Sequence, residues 1–345
     1  MPNTLRRLVV LLAFLVSALP GANEGPKSGK SAAAELGHGA KAALWREPTD
    51  IASRNLLYGS GGAGRQPRGP FTFIEEDMEG SNPKFDVHDR DGAKWKVKLG
   101  AEARPEVAAS RLLWAAGYFT NEYYFLEDLQ VQDLPRHLHR GQSLVAPDGA
   151  LHNVRLKRSA KGQEKVGTWE WGSNPFVGTR EFNGLRVLMA LINNWDLKDS
   201  NNAVYQEKHN DGAADLEQIY LVSDLGASFG TTGIKLPVDA SKGNLEAYKR
   251  SKFISNFSPD YVDFGAPSRP TLIESFNLPE FVRRIDLRWI GRQVPRADAR
   301  WMGQLLGRLS PDQIRDAFRA AGYSPQEANE FATVVQSRIA ELNVL

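Results

Sequence analysis

The chain has 345 residues, 41% apolar and 24% charged, with no cysteine. That length suits one large domain or two lobes sharing a cleft, and the composition is that of an ordinary globular protein. The lack of cysteine excludes thiol catalysis, disulfides, thiolate metal sites and a lipid anchor through cysteine.

Residues 1–22 read as a secretory signal peptide. Arg6 and Arg7 precede an apolar run from Leu8 to Ala18, and small residues follow at Gly21 and Ala22. Val16-Ser17-Ala18 and Pro20-Gly21-Ala22 both offer cleavage sites. No later segment approaches the roughly 18 uninterrupted apolar residues of a membrane span. Membrane contact is therefore expected only through the uncleaved signal, and the mature protein is expected to be secreted or periplasmic. Absence of cysteine fits a bacterial envelope better than a disulfide-built exterior. Loss of Arg6 and Arg7 leaves basic and acidic residues equal in number. A formally neutral chain has no bulk footprint for nucleic acid, and no such partner is expected. The basic stretch from Arg155 to Lys165 reads as a solvated strand end and loop.

Residues 23–66, rich in Gly, Ala, Ser and Lys, read as a flexible linker. Gly25-Pro26-Lys27-Ser28-Gly29-Lys30-Ser31 is not a P-loop, because the spacing puts Glu24 where the first glycine belongs. The cluster from Gly59 to Gly64 reads as the end of the linker.

A sheet lobe is expected over 67–160. Phe71-Thr72-Phe73-Ile74 reads as a strand, and Gly80-Ser81-Asn82-Pro83 as a loop. Phe85 to Asp89 and Lys94 to Leu99 alternate apolar and polar about a turn at Arg90-Asp91-Gly92. Trp95, Val97 and Leu99 share one face, and Lys94, Lys96 and Lys98 the other. Ala101 to Tyr118 carries helical periodicity, with Pro105 early, Gly117 at the stop, and Glu102 and Glu106 near the start. Tyr123 to Leu126 and Asn153 to Leu156 read as two more strands.

The remainder, 161–345, reads as mainly helical. Phe182 to Ile192 is apolar and runs into Asn194-Trp195-Asp196. Ala203-Val204-Tyr205 and Ile219 to Val222 flank a polar insert, forming a hairpin that brings Asn201 and Asp224 to one place. Ser310-Pro311 and Ser324-Pro325 are N-caps with Pro at the first helical position, and each starts a helix. His137 and His139 offer a weak metal pair, since no third ligand stands at a helical offset.

Two short motifs carry chemistry. Asp196-Leu197-Lys198-Asp199-Ser200-Asn201 has the form D-L-K-x-x-N, and Ser223-Asp224-Leu225-Gly226 has the form D-F-G with Leu for Phe. With the lysine strand and glutamate helix before them, the chain resembles the protein-kinase-like superfamily in an atypical branch. Leu221 to Gly230 is similar to the metal-binding segment of secretory-pathway kinases of the Golgi casein kinase type. The lobe order resembles HipA-type and phosphoinositide kinases. The resemblance covers about Phe71 to Gly230.

The resemblance implies an α+β, two-lobed protein-kinase-like fold, with an antiparallel-sheet N-lobe carrying one helix and a mainly helical C-lobe. It implies a phosphotransferase using ATP or another nucleoside triphosphate, with Mg2+ or Mn2+, on a hydroxyl acceptor that is protein, lipid or sugar. Gly80 and Ser81 would cover the phosphates. Lys98 would hold them, paired with Glu106, with Glu102 a competing partner. Asp196 would act as base and Lys198 as charge neutraliser. Asn201 and Asp224 would hold the metal, with Asn202 the fallback. The pattern departs from the family in lacking G-x-G-x-x-G, in Asn194-Trp195 replacing His-Arg, and in having only Ala266-Pro267-Ser268 for A-P-E. A pseudokinase-like envelope protein that binds nucleotide or partner without catalysis is the alternative.

Overall fold

The computed structural model describes residues 41–80, 82–159, 162–194, 196–207, 217–230, 242–265 and 287–345. The signal segment 1–22, Ser81, Trp195, most of the insert after Glu207 and Ala266-Pro267-Ser268 lie outside them.

The described chain opens with β1 (Lys41–Ala43) and three short 3-10 turns between Ile51 and Arg65. β2 (Phe71–Asp77), β3 (Lys84–His88) and β4 (Lys94–Lys98) form an antiparallel meander. The β3–β4 turn is built by Asp89, whose Oδ1 accepts from the N–H groups of Asp91 (3.0 Å) and Ala93 (2.8 Å). Gly92 there takes φ +73°, a region glycine enters without a Cβ penalty. After α1 (Ala103–Ala115) come β5 (Tyr123–Leu129), β6 (Val131–Gln132) and β7 (Leu151–Arg158). The six strands run β5-β7-β4-β3-β2-β6, antiparallel throughout except that β6 lies parallel to β2. The alternation read in β4 holds. Trp95 and Val97 are fully buried with Phe85, Val87 and Leu156 in a core on one face, while the lysines occupy the face that meets α1.

β8 (Gln163–Gly167) pairs with β9 (Asn202–Glu207), which pairs with β10 (Glu217–Val222). Between β8 and β9 lies α2 (Arg180–Leu191), capped by Thr179, whose side chain accepts from Phe182 N–H. Then follow α3 (Leu245–Arg250), the small sheet β11 (Ile254–Phe257), β12 (Tyr261–Phe264) and β13 (Val294–Pro295), and helices α4 (Arg296–Leu306), α5 (Pro311–Arg319) and α6 (Pro325–Asn343). Both expected Ser-Pro starts are capping boxes, completed by Gln313 and Glu327. Such caps stabilise a helix end by about 1 kcal/mol. The fold is α+β: a sheet with one helix, then a mainly helical part around the large core of α2, α4, α5 and α6.

The reading of 23–66 as linker does not hold from Lys41 onward. β1 adds a parallel edge strand to β10, with Lys41 opposite Glu217 and Ala43 opposite Ile219. Leu44, Ile51 and Leu56 are buried. The segment also closes the C-terminal end of α1. Trp45 Nε1 donates to Ala116 O (2.7 Å), Arg46 N–H donates to Gly117 O (3.0 Å), and Arg54 donates to Trp114 O. A few apolar anchors fix a stretch whose glycine and proline content alone suggests freedom.

Candidate active site

Lys98 lies at the end of β4, on the face turned toward α1, and is almost fully buried. Three carboxylates converge on its ammonium: Glu102 Oε2 at 2.6 Å, Asp224 Oδ1 at 2.6 Å and Glu106 Oε2 at 3.2 Å. Glu102 and Glu106 are one helical turn apart in sequence, Glu102 preceding α1 and Glu106 in its first turn, so both can reach one point. The sequence left the choice between them open, and the geometry uses both. Glu106 also accepts from Arg155 Nε (3.0 Å), which β7 places opposite Lys98 in the sheet register. Glu102 accepts from Lys242 Nζ (2.7 Å) and Asn82 Nδ2 (2.7 Å).

The electrostatics follow from this crowding. Burial alone would favour the neutral acid at Glu106, but Arg155 and Lys98 outweigh it and hold its carboxyl below the ordinary range. Burial would strip Lys98 of its proton, yet Glu106, Asp224 and Glu102 raise its pKa instead. Asp224 goes the other way: burial and the nearby carboxylates of Glu106 and Glu102 lift its pKa despite Lys98.

Asp224 is held by backbone. It sits at φ +56°, a left-handed conformation that Asp tolerates better than most side chains. Just before it, Ser223 N–H donates to Asn201 O (2.9 Å), continuing a register in which Val222 faces Asn202. The β9–β10 hairpin thus joins the two motifs as the sequence suggested. Asn201 Nδ2 donates to Asp196 O (2.8 Å), which leaves its Oδ1 to coordinate or accept. Asn202, the fallback, is buried and donates through Nδ2 to Trp169 O (2.9 Å), and among the described residues its Oδ1 has no hydrogen-bond partner. Asp196 N–H is oriented by Asn194 Oδ1 (2.9 Å), and its carboxylate meets Lys198 Nζ at 3.3 Å. The two loops are further tied where Phe229 N–H donates to Ile192 O (2.7 Å) and Asn193 donates to Gly230 O.

Gly80 takes φ +69°, and its carbonyl accepts from Arg140 Nη2 (2.8 Å). The Lys84 ammonium lies 3.4 Å from where a Cβ on Gly80 would stand, so this loop and a second lysine lie together beside Lys98's strand. Ser81, the other loop residue singled out, lies outside the described residues. His139 binds Glu76 (Nδ1 to Oε2, 2.7 Å), and no group of three or more His, Cys, Asp or Glu among the described residues could hold a metal.

Sequence reasoning placed Arg155 in a solvated basic stretch; it is buried against Glu106. It also missed Lys242, Asn82 and Lys84. The signal for Arg155 was its alternation with apolar Val154 and Leu156, which puts it on the face of Lys98 once the pairing of β7 with β4 is known.

A divalent ion suits the oxygens that remain. The Asp224 carboxylate and Asn201 Oδ1 are hard donors of the kind Mg2+ or Mn2+ takes, and these two residues could hold such an ion.

No protein-family model matches the chain, and no curated protein does. Among solved structures, the Helicobacter pylori proinflammatory kinase CtkA aligns with a TM-score of 0.44 and 12% identity, over 79% of this chain and 96% of that one. A Golgi casein kinase aligns with a TM-score of 0.30 and 10% identity, over 85% of this chain and 78% of that one.

Proposed function

We propose that this chain is an exported phosphotransferase. It moves the terminal phosphoryl group of a nucleoside triphosphate to a hydroxyl acceptor with the help of Mg2+ or Mn2+. The observation that carries the reading is the junction at Lys98: one buried ammonium held at once by Glu106 near the start of α1 and by Asp224 of the D-L-G turn. Phosphoryl transfer asks for a fixed cation on the phosphates and an anion beside it for the metal. A structural ion pair would not need the second motif to arrive at the same atom.

The roles then separate. Lys98 holds the donor phosphates, and Lys84 under the Gly80 loop adds a second cation. Asp224 and Asn201 would hold the metal, which supplies charge neutralisation on the phosphates. Asp196 takes the proton from the acceptor hydroxyl as that oxygen bonds to the terminal phosphorus. The bond to the bridging oxygen breaks, and the nucleoside diphosphate leaves. Lys198 neutralises charge on the moving group.

Export rests on the layout of residues 1–22. The acceptor class stays open among protein, lipid and sugar. A transfer screen with γ-labelled nucleotide, Mg2+ or Mn2+ and candidate acceptors tests the reading. Label on an acceptor, lost in Asp196→Asn, supports it. Metal-dependent nucleotide binding without transfer or hydrolysis hands the site to the pseudokinase alternative.

A further inference from the structure

The sheet face that carries Lys98 is ionic well beyond the phosphate end. By alternation and register, Lys96 faces Asp86 on β3 and Lys157 on β7, just as Lys98 faces Lys84 and Arg155. The apolar side chains of these strands, Trp95, Val97 and Leu156, are all used on the opposite face. A flat apolar slot for a purine is therefore not what these strands offer beside Lys98.

The lysines of this face have carboxylates, with one exception among the described residues. Lys84 reaches Asp77 at 3.7 Å, Lys94 reaches Asp86 at 2.7 Å, and Lys96 reaches Asp77 at 2.5 Å. Lys157 is half-buried and has no carboxylate at ion-pair distance; burial and then Arg155 push its pKa down to about 8. A half-buried ammonium without a protein carboxylate keeps its donors available to a ligand.

Its position says what could supply one. Lys157 lies one strand over and two residues along from Lys98, about 8 Å away by strand geometry. It stands where β7 ends, before the chain crosses to β8. On the reading above, the acceptor side of the donor is fixed by Asp196. A nucleotide with its phosphates on Lys98 therefore extends sugar and base along this roof.

We propose that Lys157 reads the base of the donor nucleotide, and that the site favours a 6-oxopurine, guanine or hypoxanthine, over adenine. This rests on the phosphotransferase reading. The chemistry is one of matched edges. Guanine and hypoxanthine present two adjacent acceptors, O6 and N7, whereas adenine sets an amino donor beside N7. An ammonium can donate to the first pair but faces another donor in the second.

The test is binding of GTP, ITP and ATP to the full mature chain with Mn2+ or Mg2+, by calorimetry, in wild type and in Lys157→Met. GTP and ITP should each bind about tenfold or more tighter than ATP, the scale of one well-made base contact. Lys157→Met keeps the stem and removes the donor, and should bring the three nucleotides within about twofold of one another. Lys157→Gln serves where the Met variant melts below wild type. ATP binding as tightly as GTP in wild type overturns the proposal while leaving the phosphotransferase reading standing. So does a preference for GTP not shared by ITP, or one that survives loss of Lys157. Failure of every triphosphate to bind overturns both.

Discussion

Gly226 stands against Glu102: a Cβ on the glycine would fall 2.5 Å from the Glu102 Cβ, closer than two carbons can approach. The glycine of the D-L-G turn is thus where the segment carrying Asp224 meets the carboxylate that precedes α1. Gly226→Ala should displace α1 or the turn, lower the melting temperature by the equivalent of ~1–3 kcal/mol, and weaken nucleotide binding. A variant with wild-type melting and wild-type nucleotide affinity would show that this contact is not needed.

Asp224→Ala removes the carboxylate proposed for the metal but leaves Lys98 its pairs with Glu102 and Glu106. The fold should persist, and the metal-dependent part of nucleotide binding should vanish. In wild type, nucleotide and metal at about 100 times the dissociation constant should stabilise by about 2.7 kcal/mol. Thermal shift with and without Mn2+ reads both, and an unchanged metal effect in Asp224→Ala would remove the assignment.

Asp196→Asn keeps shape and hydrogen bonding while removing the carboxylate proposed as the base. Turnover should fall ~10²-fold or more with nucleotide affinity retained, the usual scale for losing a positioned base. Activity that survives the change would place the base elsewhere.

Glu106 gives a pH signature. Its pKa in the folded chain lies below its ordinary 4.5, so its contribution is present above pH 4.5 and lost as pH falls through the folded value. Glu106→Gln leaves Lys98 and Arg155 short of a buried partner and should cost ~3–5 kcal/mol at pH 7. The gap in denaturation free energy between variant and wild type should narrow as pH drops below 4.5. A gap that stays constant with pH would mean Glu106 is not the charged partner of these cations.

Much of this was legible in the sequence because it depends on local rules. Alternation fixed the faces of β4, Ser-Pro starts gave α5 and α6, and the two motifs were separated by a segment that could only return on itself. What depends on pairing between distant strands was not legible. Arg155 looks like a surface residue until β7 is set beside β4, and Lys242 carries no signal until its segment is placed beside Glu102. The segment from Lys41 was misread for the opposite reason. Its composition describes an average, while Leu44, Ile51 and Leu56 act as single anchors.

That segment has a consequence for handling the protein. Among the described residues, β10 is paired on one side by β9 and on the other by the three residues of β1. Trimming the chain back to the first strand of the large sheet would strip β10 of that cover and open an unpaired row of N–H and C=O groups. It would do so on the strand that leads directly into Asp224. An exposed edge of that kind invites pairing with another chain. A shortened protein would then fail by self-association before its chemistry could be assayed, and inactivity in such a fragment would say nothing about Lys98 or Asp196.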